Sequence, residues 1–205
     1  MFLLFLKKEL SDFLKNKLFV CFFVVFLGYP FVLHKAIETY NDLTALLQSN
    51  LFFYLLFPEF LFCCLYMSDS CNKDLQTGGM LFLVNLKAPL GVFVIAKTFV
   101  VLFMGVFFSI VNHIFFSDIF SFLDVVILLF ILLSCLVMSF AISLFVHGSD
   151  AISFGVISVL CGLQISLFQK YGVFHIQVCV PLIQLILFTC LLRYIYKSRR
   201  FRFSL

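Results

Sequence analysis

Long uncharged stretches alternate with short charged or polar ones along the whole chain. A transmembrane helix needs roughly 20 apolar residues to cross about 30 Å of hydrocarbon. Stretches of that kind occupy residues 18–33, 46–67, 90–112, 125–149, 151–169 and 171–192. They are continuous and show no strict alternation of apolar and polar positions, so the pattern predicts six transmembrane helices rather than the strands of a β-barrel.

The first 17 residues carry an amphipathic pattern of their own. One helical face holds Phe2, Leu3, Leu6, Leu10, Phe13 and Leu14, and the opposite face holds Lys7, Lys8, Ser11, Asp12 and Lys15. This arrangement favours a helix lying in the membrane plane, with the flank of the first span as the alternative. The apolar start is not predicted to be a signal peptide, because its lysine pair follows the apolar residues instead of preceding them.

Composition places the chain in the membrane and excludes a soluble domain. It is 64% hydrophobic and 12% charged, whereas soluble domains average about 45–50% and about 25%. With six spans, all 14 Lys and Arg except Lys35 and Lys170 lie on the side of the termini. The positive-inside rule therefore predicts cytoplasmic termini and a multi-pass protein of the cell membrane, expected to be the bacterial cytoplasmic membrane. No long basic tract points to nucleic acid.

These patterns define the predicted architecture. The fold class is an all-α membrane protein, with an in-plane amphipathic helix at 1–17, a six-helix transmembrane domain at 18–196 and a basic cytoplasmic tail at 197–205. Between spans five and six, Gly172 and Pro181 allow either a re-entrant helix or a plain hairpin.

Two kinds of residue inside the spans are candidates for chemistry. Glu59 follows Pro58 in the second span, and a charge at that depth costs roughly 2.5–3.5 kcal/mol. Glu59 is therefore either a carboxylate on the substrate path or a residue near the outer surface. The eight cysteines are Cys21, Cys63, Cys64, Cys71, Cys135, Cys161, Cys179 and Cys190. Most fall in apolar runs, where a thiol acts as a small hydrophobe, so neither disulfides nor a metal site is expected.

The segment 68–89, between spans two and three, combines a polar first half with an apolar second half. Asp74 precedes Gly78 and Gly79, an apolar run from 80 to 86 follows, and Pro89 ends the segment. Such a segment is either a short helix that docks a soluble partner or an ordinary loop. Its predicted coupling residues are Asp74, Gly78, Gly79, Leu81, Phe82, Leu83, Leu86 and Pro89.

With Lys97 opening the third span, this order resembles the ABC-2 family, the permease subunits of ATP-binding-cassette exporters. The family shares an in-plane N-terminal helix, six spans and cytoplasmic termini. The chain departs from its pattern in three ways: Asp74 replaces the usual Glu, Thr77 precedes the glycines, and no basic residue follows Pro89. The short, Phe-rich character is similar to permeases of small-peptide exporters and bacteriocin self-immunity pumps.

The resemblance implies a non-catalytic subunit. A separate ABC ATPase would bind ATP and Mg, since this chain has no G-x-x-x-x-G-K-[ST] loop. A second permease chain, identical or sibling, would complete the path for a peptide or another amphipathic, lipid-like cargo. The alternatives are a self-contained carrier or channel and, less favoured, an intramembrane enzyme, for which no H-E-x-x-H or comparable constellation occurs.

Overall fold

The computed structural model describes residues 2–39, 51–77, 90–116, 122–145, 150–170 and 174–198, and apart from the single residues at their ends or junctions these are helical. The helices in chain order are α1 (Phe2–Lys15), α2 (Lys17–Thr39), α3 (Leu51–Gln76), α4 (Leu90–Phe115), α5 (Phe122–Phe145), α6 (Asp150–Lys170) and α7 (Phe174–Ser198). The all-α prediction is confirmed for this part of the chain.

Helix α1 corresponds to the amphipathic segment and is joined to α2 through Asn16 alone. The Asn16 N–H donates to the Phe13 carbonyl at 3.0 Å, which ends α1, and the Asn16 carbonyl accepts from the Val20 N–H at 3.0 Å, which starts α2. This junction keeps backbone groups paired while the two helices take separate courses.

Two helices form the centre of the packing. Helix α3 contacts α2, α4, α5 and α6, while α5 contacts α3, α4, α6 and α7. The fully buried side chains Leu55, Met67, Leu136, Phe140 and Ile157 lie in the core between them. Helix α1 packs against α4 and α2 at one end of this bundle.

Phenylalanine rings attach α1 and α2 to the rest of the bundle. The Phe13 ring of α1 meets the Tyr66 ring of α3 edge-to-face, with centroids 5.3 Å apart. Phe23 of α2 lies 5.2 Å from Phe108 of α4, centroid to centroid. Ring pairs of this kind each add about 0.5–1.5 kcal/mol to the stabilisation that comes from burying apolar area. Some of the 32 phenylalanines therefore stabilise the contacts between helices.

The outer surface of the bundle is apolar. Val24, Val32, Ile114, Val159 and Leu187 are each more than half exposed, and a surface with so many large apolar side chains is typical of contact with lipid. Among the described residues, three helical stretches are long and apolar enough to cross a membrane: Lys17–Thr39, Gly91–Phe115 and Leu123–Ser143. Shorter apolar stretches lie in α6 and α7, at Gly155–Ser166 and Cys179–Leu191. These features make the chain an α-helical membrane protein.

Several helices run further than the sequence pattern predicts. The first and second spans are predicted to end at residues 33 and 67, but α2 continues to Thr39, and α3 continues through the polar residues that follow to Gln76. Helix α7 passes through Pro181 without a break, so this proline does not end a re-entrant helix. A proline inside a membrane helix is tolerated because neighbouring groups can satisfy the freed carbonyl.

Candidate functional site

A group of charged side chains is buried where α1, α3 and α4 meet. Glu9 of α1 and Lys97 of α4 are each 1% exposed, and Asp74 of α3 is 6% exposed. The Lys97 Nζ lies 2.8 Å from Glu9 Oε1 and 2.6 Å from Asp74 Oδ2. One ammonium group is thus held between two carboxylates from two other helices. We call Glu9, Ser70, Asp74 and Lys97 the ion cluster.

Hydrogen bonds complete the ion cluster. The Ser70 hydroxyl donates to Glu9 Oε2 at 2.9 Å and accepts from Lys97 Nζ, which also donates to the Ser70 carbonyl at 3.3 Å. The Lys97 ammonium lies 4.9 Å from the centroid of the Phe93 ring, within range of a cation–π interaction. Buried charges are tolerated when they are paired and hydrogen-bonded. The charges of the ion cluster are paired, but Asp74 Oδ2 contacts Lys97 as an ion pair without a hydrogen bond.

Lys8 balances the charge of the ion cluster from its edge. Its Nζ lies 2.7 Å from Asp74 Oδ1 and 3.5 Å from Glu9 Oε1, and its side chain is 45% exposed. Partial burial lowers the pKa of Lys8, but the hydrogen bond to Asp74 and the negative charges of Asp74, Glu9 and Asp12 outweigh it and raise the pKa above its usual value. Two ammonium groups therefore face two carboxylates, and the group is close to neutral.

A hollow of about 760 Å³ opens beside Lys8, between α1, the start of α2 and the last turns of α3. Its lining includes four lysines and three aspartates: Lys8, Lys15, Lys17, Lys73, Asp12, Asp69 and Asp74. Lys73 is paired with Asp69 at 2.5 Å on its exposed side. The ion cluster therefore lies beside a charged hollow with a small excess of lysine, at the end of α3 from which the predicted coupling segment continues.

The side chains of the ion cluster are engaged with one another, including the Ser70 hydroxyl, which is hydrogen-bonded to both Glu9 and Lys97. The physical effect of the ion cluster is to fasten α1 to α3 and α4 by charge as well as by packing. Movement of the end of α3 would carry Asp74 with it and would be transmitted to Lys97 and Glu9. The arrangement is suited to mechanical coupling between helices.

Glu59 lies in a second buried polar contact between the same pair of helices, α3 and α4. It is 2% exposed, and the Asn112 side-chain amide donates to Glu59 Oε2 at 2.8 Å. At a rise of 1.5 Å per residue, Asn112 is about 22 Å from Lys97 along the axis of α4. The two polar contacts therefore hold α3 and α4 together near opposite ends.

This contact is incompletely satisfied. Within the described part of the chain, Glu59 Oε1 and Asn112 Oδ1 have no hydrogen-bond partner. In the single chain, the Glu59 carboxyl group is buried between helices and is not exposed on the protein surface. Burial between helices does not give the depth of Glu59 in the membrane, so both interpretations, a carboxylate on the substrate path and a residue near the outer surface, stay predictions.

The predicted coupling residues divide into two groups. Asp74 is described, and its carboxylate points into the ion cluster instead of towards a partner. Gly78, Gly79, Leu81, Phe82, Leu83, Leu86 and Pro89 lie outside the described residues. Their proposed contact with an ATPase stays a prediction.

Sequence reasoning missed Glu9 and Ser70. A signal for Glu9 was present, because Phe5, Glu9 and Phe13 recur every four residues and therefore share one helical face. Phe5 and Phe13 both pack against the core, so the carboxylate between them is carried inside. Ser70 gave no comparable signal, since a serine in a polar stretch is ordinary.

Comparison of the chain with protein-family models, with curated proteins and with solved structures found no match. The resemblance to ABC-2 permeases therefore rests on the order of the helices and on the residues from Asp74 to Lys97.

Proposed function

We propose that the chain is the membrane-spanning permease subunit of an ABC exporter, driven by a separate ATPase and working as a pair of permease chains. In this proposal it has six spans and cytoplasmic termini, and it moves a peptide or another amphipathic or hydrophobic cargo out of the cytoplasm. The chain itself carries no catalytic group, and ATP and Mg are bound by the partner.

The observation that carries this proposal is the ion cluster. An ATP-driven transporter must convert a movement at the cytoplasmic surface into a rearrangement of its spans, and that requires contacts that differ between two states. The end of α3, which leads into the segment 78–89, is fastened through Asp74 to Lys97 of α4 and is close to Glu9 of α1. A push on that segment would therefore reach three helices at once.

The lysines of the hollow beside the ion cluster, which outnumber its aspartates by four to three, support the same orientation. Lys8, Lys15, Lys17 and Lys73 line one hollow at the end where α1 joins α2. Basic residues collect on the cytoplasmic side of membrane proteins, and they are attracted to anionic lipid by about 1 kcal/mol each. This end of the bundle is the one at which a cytoplasmic ATPase would bind.

The test is co-purification with the ABC ATPase expressed alongside this chain. Gly79→Trp and Leu83→Asp alter the proposed contact, and Gly172→Trp is the matched control in the turn predicted on the outer side. We expect wild type and Gly172→Trp to retain an ATPase that hydrolyses MgATP, and the other two variants to lose it while still inserting in the membrane. Retention of the ATPase by Gly79→Trp and Leu83→Asp, or its absence from wild type, would contradict the proposal.

A self-contained carrier or channel is the second candidate, and the Glu59–Asn112 contact favours it. A buried carboxyl group with an unpartnered oxygen is the kind of group that binds a proton or cation in transporters. Reconstitution of the purified chain alone in liposomes distinguishes the two functions. Flux of protons or alkali cations that requires no ATPase, and that Glu59→Gln abolishes, would favour the carrier or channel.

A further inference from the structure

Three cysteines from three different helices converge in the core of the bundle. They are Cys64 of α3, Cys135 of α5 and Cys161 of α6, and each is fully buried. Their sulfur atoms all lie within 4.8 Å of one another, and the Cys64 and Cys161 sulfurs are 3.6 Å apart. We call these three residues the thiol cluster.

The spacing of the thiol cluster fits a single metal ion. With a metal–sulfur bond of about 2.3 Å, three sulfurs around one ion lie about 4.0 Å apart in a planar trigonal site and about 3.8 Å apart in a tetrahedral one. The observed separations are within an ångström of these values. Rotation of the side chains alone would close a three-sulfur site, without a change in the course of any helix.

We propose that the thiol cluster binds one Cu(I) ion. Thiolate ligands select soft ions such as Cu(I) and Zn(II), and structural zinc sites take four nitrogen or sulfur ligands. Here three sulfurs converge, and among the described residues the polar neighbours are oxygens: the Gln164 amide oxygen in contact with Cys135 and the Ser139 hydroxyl in contact with Cys64. Cu(I) accepts three sulfur ligands, and each cysteine that binds it as a thiolate releases its proton when the metal is bound.

The ion would fasten the centre of the bundle. Helix α3 packs against both α5 and α6, and a copper ion held by one sulfur from each would resist their separation. This differs from the sequence-based expectation, which treated the cysteines as small apolar residues and assigned no metal. That expectation rested on their positions along the chain, which do not show that three distant thiols meet.

Because the three sulfur atoms are buried, the metal is best supplied while the protein is being synthesised and folded. Cells expressing the full chain are grown with added copper and zinc, the protein is purified in detergent without oxygen, and the metal bound per chain is measured by elemental mass spectrometry. The cluster variants are Cys64→Ser and Cys161→Ser. Cys71→Ser is a control at a buried thiol outside the thiol cluster, and Cys190→Ser is one at an exposed thiol.

We expect close to one copper per chain in wild type and in both controls, and at least about a tenfold lower copper content in the cluster variants. Loss of a residue that only hydrogen-bonds to a metal ligand already lowers metal affinity 10–100-fold, so loss of a ligand itself should have at least that effect. Copper X-ray absorption should show sulfur neighbours only. Thermal unfolding in detergent checks folding, and copper should raise the melting temperature of wild type but not of Cys64→Ser. Copper at background in wild type, equal copper in the cluster variants, or zinc in its place would overturn the proposal.

Discussion

Replacing Lys97 with methionine would leave two buried carboxylates without the cation that lies between them. The Lys97 Nζ is 2.8 Å from Glu9 Oε1 and 2.6 Å from Asp74 Oδ2, and each contact corresponds to about 6 kcal/mol of attraction at an effective dielectric constant of about 20. Desolvation of the ions offsets much of this energy. Truncating one partner of a buried pair costs about 3–5 kcal/mol, so we expect Lys97→Met to lower the free energy of unfolding by that amount.

The assay is unfolding in mixed micelles, with helicity followed by circular dichroism as the denaturing detergent is increased. Lys73→Met is the matched control, because Lys73 is paired with Asp69 on an exposed surface and such pairs contribute less than about 1 kcal/mol. A triple variant that also carries Glu9→Gln and Asp74→Asn removes the uncompensated charges and should recover most of the loss. The reasoning is refuted if Lys97→Met is as stable as Lys73→Met, or if the triple variant is no more stable than the single one.

Three further outcomes follow from buried contacts. Asn112→Leu removes the donor to Glu59 Oε2 and should lower the free energy of unfolding by about 1–3 kcal/mol, measured in the same micelle assay; an unchanged value would mean that the hydrogen bond contributes nothing. Glu59→Gln keeps the shape of the side chain and should cost less than Asn112→Leu; a larger loss would mean that the charge itself is required. Gly105→Ala would place a methyl group against the buried Leu132 side chain and should lower the free energy of unfolding by about 1–3 kcal/mol. Gly91→Ala is the control, because open space surrounds Gly91, and it should not destabilise the protein. Equal melting temperatures for the two variants would show that Leu132 moves aside freely.

Much of the helical framework was predictable because a long apolar run must satisfy its backbone internally in lipid. The boundaries were less predictable where polar residues continue a helix. The polar residues after Met67 indicate a loop, but the side chains of Ser70 and Asp74 find partners on α1 and α4. Those tertiary contacts stabilise two more turns of α3 than hydropathy indicates.

The candidate sites were harder to predict, because each depends on residues far apart in the chain. Asp74 and Lys97 were singled out as separate parts of one local pattern. The structure brings them into direct contact and adds Glu9, which lies 88 positions from Lys97. The thiol cluster gave no signal, since neither the spacing nor the surroundings of Cys64, Cys135 and Cys161 distinguish them from other apolar-run cysteines. Helix pairing, which brings them together, is not encoded in any single segment.

The order of the charges along the chain has a consequence for the biogenesis of the protein. Chains emerge from the ribosome with their N-terminal part first, so Glu9 and Asp74 are both synthesised before Lys97. When the helix that carries Lys97 is inserted, the two carboxylates that pair with it have therefore already been synthesised. The lysine can be neutralised as it enters the bilayer, and the insertion cost of an isolated charge, about 2.5–3.5 kcal/mol, need not be met by α4 alone.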